Sequence, residues 1–449
     1  MKKRKTFTRF ALGGSLDKSS ADTLTGERYE SCYCQDGVLR AGMGLIPYTD
    51  ANGNMVVLES RMGRVSNIFT LCVTAGGIVT EYLAVFKNEG EMYYYNPALN
   101  SNQGGWTFCY DFKTETKVIP TLDETGKPRT YFCNNNGIFY YISSYCVTHV
   151  VKAKPIGCFF EGRLFVAVSD TKIVFSLPYV LTAYTDSLTD SGHVLLPNDS
   201  GAICAIVPFQ NKLYIFCEYG ILEMTAVGNA QDFTLKRLEY NWGKIFGDSV
   251  AVCTSNTEGI YFLTENGICV FDGKSVKRTC KNVKIEAMVD GQHCTHAEYN
   301  GRYHVCFFNQ YGVEKSVILN TETGEGYYSF PLRGIGATKK QGYCMLDGFI
   351  YRFDESGSMP GNRKRSFTVT GIDLDGDKEK SIQKMTVRGM GEVMISLYDG
   401  IERRTFTGTL DGGVYTFDVY MRTKNLNMLI ELVAGTYIES VAFDYELLG

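Results

Sequence analysis

The sequence predicts an all-β protein, a β-propeller of about seven blades followed by a small C-terminal β-sandwich. Three observations carry this expectation. Aromatic residues make up 13% of the chain, with 30 Tyr and 27 Phe beside 47 Gly. That mixture suits pleated, half-buried strands and suits helices poorly, because each interior glycine costs a helix about 1 kcal/mol. A strand-turn-strand cassette recurs along the chain, and a length of 449 residues exceeds one ordinary core but fits a repeat-built body.

The cassette is plainest in "EGRLFVAVSDTKIVFSLP", which starts at Glu161. It returns as "YLAVFKNEGEMYYYNP", "RTYFCNNNGIFYYIS", "FQNKLYIFCEYGILEMTA", "GIYFLTENGICVFDG" and "GYCMLDGFIYRFD". In these five, Asn, Asp or Glu stands one or two places before a turn glycine, the composition of a tight hairpin turn. The turns centre on Gly90, Gly137, Gly220, Gly267 and Gly348, with spacings of 47, 83, 47 and 81 residues. The two long gaps are each close to twice a period of about 41, and each holds a weaker cassette, at Ser169 to Thr171 and at Tyr311-Gly312. Seven units of about 43 residues result, the period of a propeller blade. Six or eight blades also fit the uneven spacing, and the period does not say which two strands of a blade each hairpin supplies.

The expected divisions are 1–54, an N-terminal arm and blade-closing segment; 55–355, the propeller; 356–366, a linker; and 367–449, the sandwich. The linker reading rests on "DESGSMPGNRKRS", where glycine, proline and five charges replace a strand. Beyond it, seven short segments mostly alternate apolar and polar positions, as strands of a sandwich do. The polar stretch 178–201 reads as a loop projecting from one face.

A formal charge of −4 and a pI near 5.9 give no bulk reason for a nucleic-acid coat, though a local basic lining is compatible with them. The 15 Cys lie mostly in apolar runs, which points to buried free thiols and folding in a reducing compartment. No apolar run reaches the length of a secretory core or a membrane span, so neither export nor membrane insertion is expected.

Candidate chemistry is sparse. His293, Cys294, His296, Glu298 and His304 form the densest ligand cluster. In a strand from Gln292 to Glu298, Cys294, His296 and Glu298 would share one face and His293 the other, which suits no usual zinc pattern. Asp373, Asp375 and Asp377 alternate in "DLDGDKEK", but Gly376 is not where a calcium-binding loop needs its glycine, and an acidic turn is the expected reading. Asp170, Glu218 and Glu265 read as turn formers, and no phosphate loop, dinucleotide fingerprint or nucleophile elbow is present. No catalytic residue, metal or cofactor is expected. The basic candidates for a DNA channel or an interface are Lys2, Lys3, Arg4 and Lys5, read as a mobile cationic tip, with Arg40 and with Arg363, Lys364 and Arg365 at the domain junction. Contacts from either set would be to phosphates.

The opening "RFALGGSLDKSSADTLTGERYESCYCQDGVLRAGMGL", with Gly13, Gly14, Cys34, Gly37, Leu39, Arg40 and Gly44, resembles the start of phage tail-nozzle and DNA-stabilisation proteins. "GRLFVAVSDTKIVFS" is similar to their glycine-arginine-leucine strand pair, and "YFLTENGICVFDG" to a later blade strand. "KSIQKMTVRGMGEVMISLYDG" and "VAFDYELLG" resemble their terminal sandwich. The resemblance implies a non-enzymatic virion component at the head-tail connection or nozzle, assembled in the host cytoplasm. It further implies a ring, sixfold in that family, that meets portal, adaptor and tail proteins and touches DNA weakly. At 449 residues the chain is smaller than many such proteins, which leaves little room for fibre-docking insertions. The alternative is a carbohydrate- or receptor-binding propeller, a tail adhesin or lectin-like module, which an aromatic platform with converging polar groups would favour.

Overall fold

The computed structural model describes all residues except 1, 13–20, 51–52, 58–64, 76, 88–89, 97, 99–104, 143–144, 150–151, 185–190, 284, 286–293, 310, 331–333, 339–340, 347 and 449. Gly13, Gly14, His293 and the middle of the 178–201 loop therefore lie outside the described residues.

Seven four-stranded antiparallel units follow one another, at 65–111, 117–149, 157–195, 203–237, 251–278, 295–329 and 335–354. The last has three strands of its own and borrows its fourth, Gly44–Pro47, from the N-terminal segment, which pairs antiparallel to Phe349–Asp354. Units two to six are separate sheets, while units seven and one are joined by a single parallel pair, Gly336 with Ile68. The first strand of each blade neighbours the next blade around a closed circle. The expected propeller and its blade-closing N-terminal segment are both present.

Each hairpin recognised in the sequence is the second and third strand of its blade. These middle strands are covered on both faces by neighbouring blades, so Arg163–Ala167 and Gly259–Thr264 are buried throughout instead of alternating. Outer strands such as Thr234–Arg237 and Val276–Arg278 are mostly exposed. The apolar cores lie between blades, where rings such as Phe216 and Phe262 (5.2 Å) or Tyr261 and Tyr303 (5.8 Å) meet across the gap.

Two expected boundaries are corrected. Residues 1–54 do not form a separate arm. Lys2–Phe7, Arg28–Glu30, Cys32–Gln35 and Val38–Ala41 are strands of the C-terminal sheet, paired with partners up to 444 positions away, as Lys2 with Glu446. The 356–366 stretch is no loose linker either. Ser358 exchanges backbone hydrogen bonds with Leu45 (2.8 and 3.2 Å), and a Cβ on Gly44 would stand 2.1 Å from the Gly357 carbonyl oxygen.

The C-terminal sheet is one continuous nine-stranded sheet folded over itself into a nearly closed barrel, where two separate layers were expected. Its long hairpin, Lys380–Tyr398 with Arg403–Thr423, serves both halves. Residues 380–390 pair with Tyr437–Leu447, and residues 393–398 pair with Leu426–Leu432. The fold-over sits where Gly412 and Gly413 bulge opposite Gly389. Its effect is direct: the Arg404 guanidinium donates to the Val419 carbonyl at 2.8 Å, although both residues belong to the same strand. Fifteen extended residues would span about 50 Å. The enclosed core is continuous with that of blades six and seven.

Candidate assembly surface

The basic N-terminal residues are strand, and they meet the acidic turn that the sequence reading treated separately. Lys3 pairs with Asp375 (2.6 Å), Lys5 with Asp373 (3.8 Å) and Arg4 with Asp444 (3.6 Å), while Lys2 is exposed. Phe7 anchors the strand edge-on against Phe443. The mobile cationic tip is thus a clasped strand, because Lys3, Arg4 and Lys5 each meet a carboxylate. Hydrogen bonds from Lys3 and from the Tyr445 hydroxyl (2.9 Å) hold the Asp375 carboxyl below its ordinary pKa. Lys380, buried behind the turn, donates to the Gly376 and Lys424 carbonyls, and burial lowers its pKa. Asp373 and Asp375 are therefore occupied as ion-pair partners.

The junction set is equally committed. Arg365 is 2% exposed and donates from Nε to the Gly42 carbonyl (2.9 Å) and from Nη2 to that of Gly357 (2.5 Å), sewing the N-terminal segment to the chain leaving blade seven. Beside it, the Met43 N–H donates to the Tyr327 hydroxyl at 3.0 Å, and Tyr327 stacks on Tyr33. Lys364 pairs with Glu431 (2.9 Å), Arg363 lies over the Phe330 ring, and Arg40 over that of Tyr437.

The histidines are dispersed. The buried His304 has Nε2 2.5 Å from Ser316 Oγ, and burial pushes its pKa down to about 3. His296 Nδ1 lies 2.5 Å from the Asp248 carbonyl oxygen. Desolvation, and then the charge of Lys117, lower its pKa to about 4. Among the described residues no three His, Cys, Asp or Glu side chains converge as a metal set. Lys117 begins the first strand of blade two, and His296 lies on the first strand of blade six. The turn-former reading of Asp170, Glu218 and Glu265 fits their contacts: Asp170 and Glu218 pair with Lys154 and Lys244, and Glu265 accepts from the Lys244 N–H at 3.1 Å.

The surface most suited to a partner lies at the tip of the long hairpin. Asp399 Oδ1 accepts from the Ile401 and Glu402 N–H groups (2.9 Å each), and Gly400 takes a φ of 95° to close the turn. Ile401 is left 98% exposed beside a 330 Å³ cavity lined by Thr368, Tyr398, Arg403 and Leu429. Val414 and Tyr420 are also exposed on this hairpin. The reading of seven short segments did not place this tip, although Asp399-Gly400 between two strand patterns was the signal for it.

No family model matches the sequence, and no curated protein matches it. Among solved structures, the chain is similar to Trypanosoma rangeli sialidase in complex with sialic acid, at 9% identity over 90% of this chain and 94% of that one, with a TM-score of 0.29. It is also similar to Kluyveromyces lactis Hsv2 (9% identity, 55% of this chain and 81% of that one, TM-score 0.33). A mutant of AofleA from Arthrobotrys oligospora is a third such structure (12%, 69% and 98%, TM-score 0.34).

Proposed function

We propose that this protein is a non-catalytic structural subunit of a tailed-phage particle, forming a ring at the head-tail connection or nozzle that retains and then passes DNA. The observation that carries this reading is the hairpin tip, where a rigidly held, wholly exposed isoleucine adjoins a cavity. An exposed apolar side chain at the edge of a cavity is a surface that a neighbouring subunit would cover. The sequence resemblance supplies the particle, the portal and adaptor partners and the sixfold number. Most candidate cations already have acceptors or rings, which suits weak, salt-dependent phosphate contact through which a genome can slide.

The test is negative-stain microscopy of the purified protein, alone and with a portal-adaptor complex, for wild type and Ile401→Asp. Rings that dock coaxially on the portal, and that Ile401→Asp abolishes while leaving thermal stability within about 0.5 kcal/mol, support the reading. A monomer indifferent to the portal overturns it.

A further inference from the structure

A second cavity, of 240 Å³, lies where blade one meets the chain leaving the strand borrowed by blade seven. Tyr48, Tyr82 and Tyr95 line it, with the carboxylates Asp50 and Glu81. We propose that this cleft binds a small organic cation of the alkylammonium class, a role independent of ring assembly.

The argument starts from rigidity. Each tyrosine is backed by another ring: Tyr48 by Tyr343 (5.7 Å, perpendicular), Tyr82 by Tyr94 (4.8 Å) and Tyr95 by Trp106 (5.5 Å). Tyr48, Tyr82 and Tyr95 are all only partly buried, so a platform of three fixed rings remains open to solvent. Fixed rings need little ordering when a ligand arrives.

Charge then selects the ligand. Among the described residues the lining holds two carboxylates and no lysine, arginine or histidine. Asp50 is positioned by its own turn, where Oδ1 accepts the Asn54 N–H at 2.9 Å and the Asp50 carbonyl accepts the Gly53 N–H at 3.0 Å. Burial first, and then the adjacent Asp50 charge, raise the pKa of Tyr95, which keeps that phenol neutral and the cleft's negative charge on its acids. Aromatic faces and carboxylates both attract a positive charge, and the rings best suit one that is weakly hydrated and wrapped in methyl groups. An anionic ligand would meet two like charges. A volume of 240 Å³ suits a headgroup-sized molecule.

The protein carries its own reporter, because Trp106 packs at a tilt against Tyr95 and the chain has only two tryptophans. In a Trp242→Phe background, choline chloride titrated against sodium chloride of equal ionic strength should change Trp106 fluorescence saturably. Tyr82→Ala and Glu81→Gln should each weaken the apparent affinity at least about tenfold. Glu81 is exposed, so its variant tests binding without threatening the fold. N-acetyl-lysinamide binding more weakly than choline would place the preference on the methylated cation. Equal responses to choline and sodium chloride, a response to neutral glucose as strong as that to choline, or unchanged binding in both variants would overturn the proposal.

Discussion

The propeller and the C-terminal sheet solve the same problem, covering the edges and faces of β-structure, in opposite ways. A propeller blade is made almost wholly of neighbours in sequence: its second and third strands are joined by a tight turn, and the next blade covers its face. The C-terminal sheet is assembled from both ends of the chain, and its strands Arg28–Glu30 and Cys32–Gln35 are only three and four residues long. What local repetition does for the blades, the Arg365 guanidinium and the pairing of Lys2–Phe7 with Tyr437–Leu447 do for the sheet. The propeller should therefore fail by steric opening of its circle, and the sheet by loss of a few long-range bonds.

Two substitutions would break the comparison most strongly. Arg365→Ala leaves the buried Gly42 and Gly357 carbonyls without their donor and should cost about 3 kcal/mol or more. The loss should appear first in the C-terminal sheet, as accelerated amide exchange of 28–41 while blades two to five stay protected. Gly336→Ala places a methyl 1.7 Å from the Ile68 carbonyl oxygen, at the pair that joins blade seven to blade one. It should cost about 3 kcal/mol and expose blades one and seven to proteolysis before the C-terminal sheet. If both variants lose the same segments together, the two regions are one cooperative unit and the contrast fails.

A smaller effect sharpens the contrast through pH. His304 lies in the core shared by blades six and seven, edge-on to Phe353 at 4.7 Å, and its Nδ1 has no partner among the described residues. Because burial depresses its folded pKa to about 3, its contribution to stability is complete above the ordinary histidine value near 6.5. As pH falls from there toward 3, the unfolded chain takes up a proton that the folded chain refuses, and stability drops by about 1.4 kcal/mol per pH unit. Denaturant midpoints between about pH 6 and 4 should show this slope added to that of His296, and His304→Gln should remove about 1.4 kcal/mol per pH unit of the total. An unchanged slope in the variant would assign the effect elsewhere.

How much was legible follows the same division. The hairpins at Gly137, Gly220 and Gly267 were readable because burial on both faces forces continuous apolar strands and a two-residue turn forces a glycine beside Asn or Glu. The outer strands were not, since Val276–Arg278 is three mostly exposed residues with no pattern to detect. In the N-terminal segment, residues 1–54 were read as an arm and blade-closing segment, without singling out the closing strand Gly44–Pro47. The clasp of Lys3 and Lys5 on Asp375 and Asp373 escaped because the pairing spans about 370 positions, and each cluster alone resembles a solvated charge run. Arg365 was singled out for its charge, but its role is hydrogen bonding in a buried seam, which a run of basic residues does not advertise.

The mildest test concerns that clasp. Lys2–Phe7 pairs with a single strand and buries only Phe7 fully, so its attachment leans on exposed ion pairs that salt screens. Asp375 has a depressed folded pKa, so its contribution is present above the ordinary carboxylate range and disappears as pH falls below about 4 through the lower folded value. Amide exchange of residues 2–7 should quicken modestly on acidification and on raising sodium chloride to about 0.5 M, where charges are screened within a few ångströms. Asp375→Asn should bring the wild-type rate at neutral pH and low salt to the faster one, with no change in exchange at 203–237. If exchange of 2–7 ignores both salt and Asp375→Asn, Phe7 and the backbone ladder hold the strand by themselves. The N-terminal strand would then be as self-sufficient as a blade hairpin, erasing the distinction between the two regions at the point where it should be most visible.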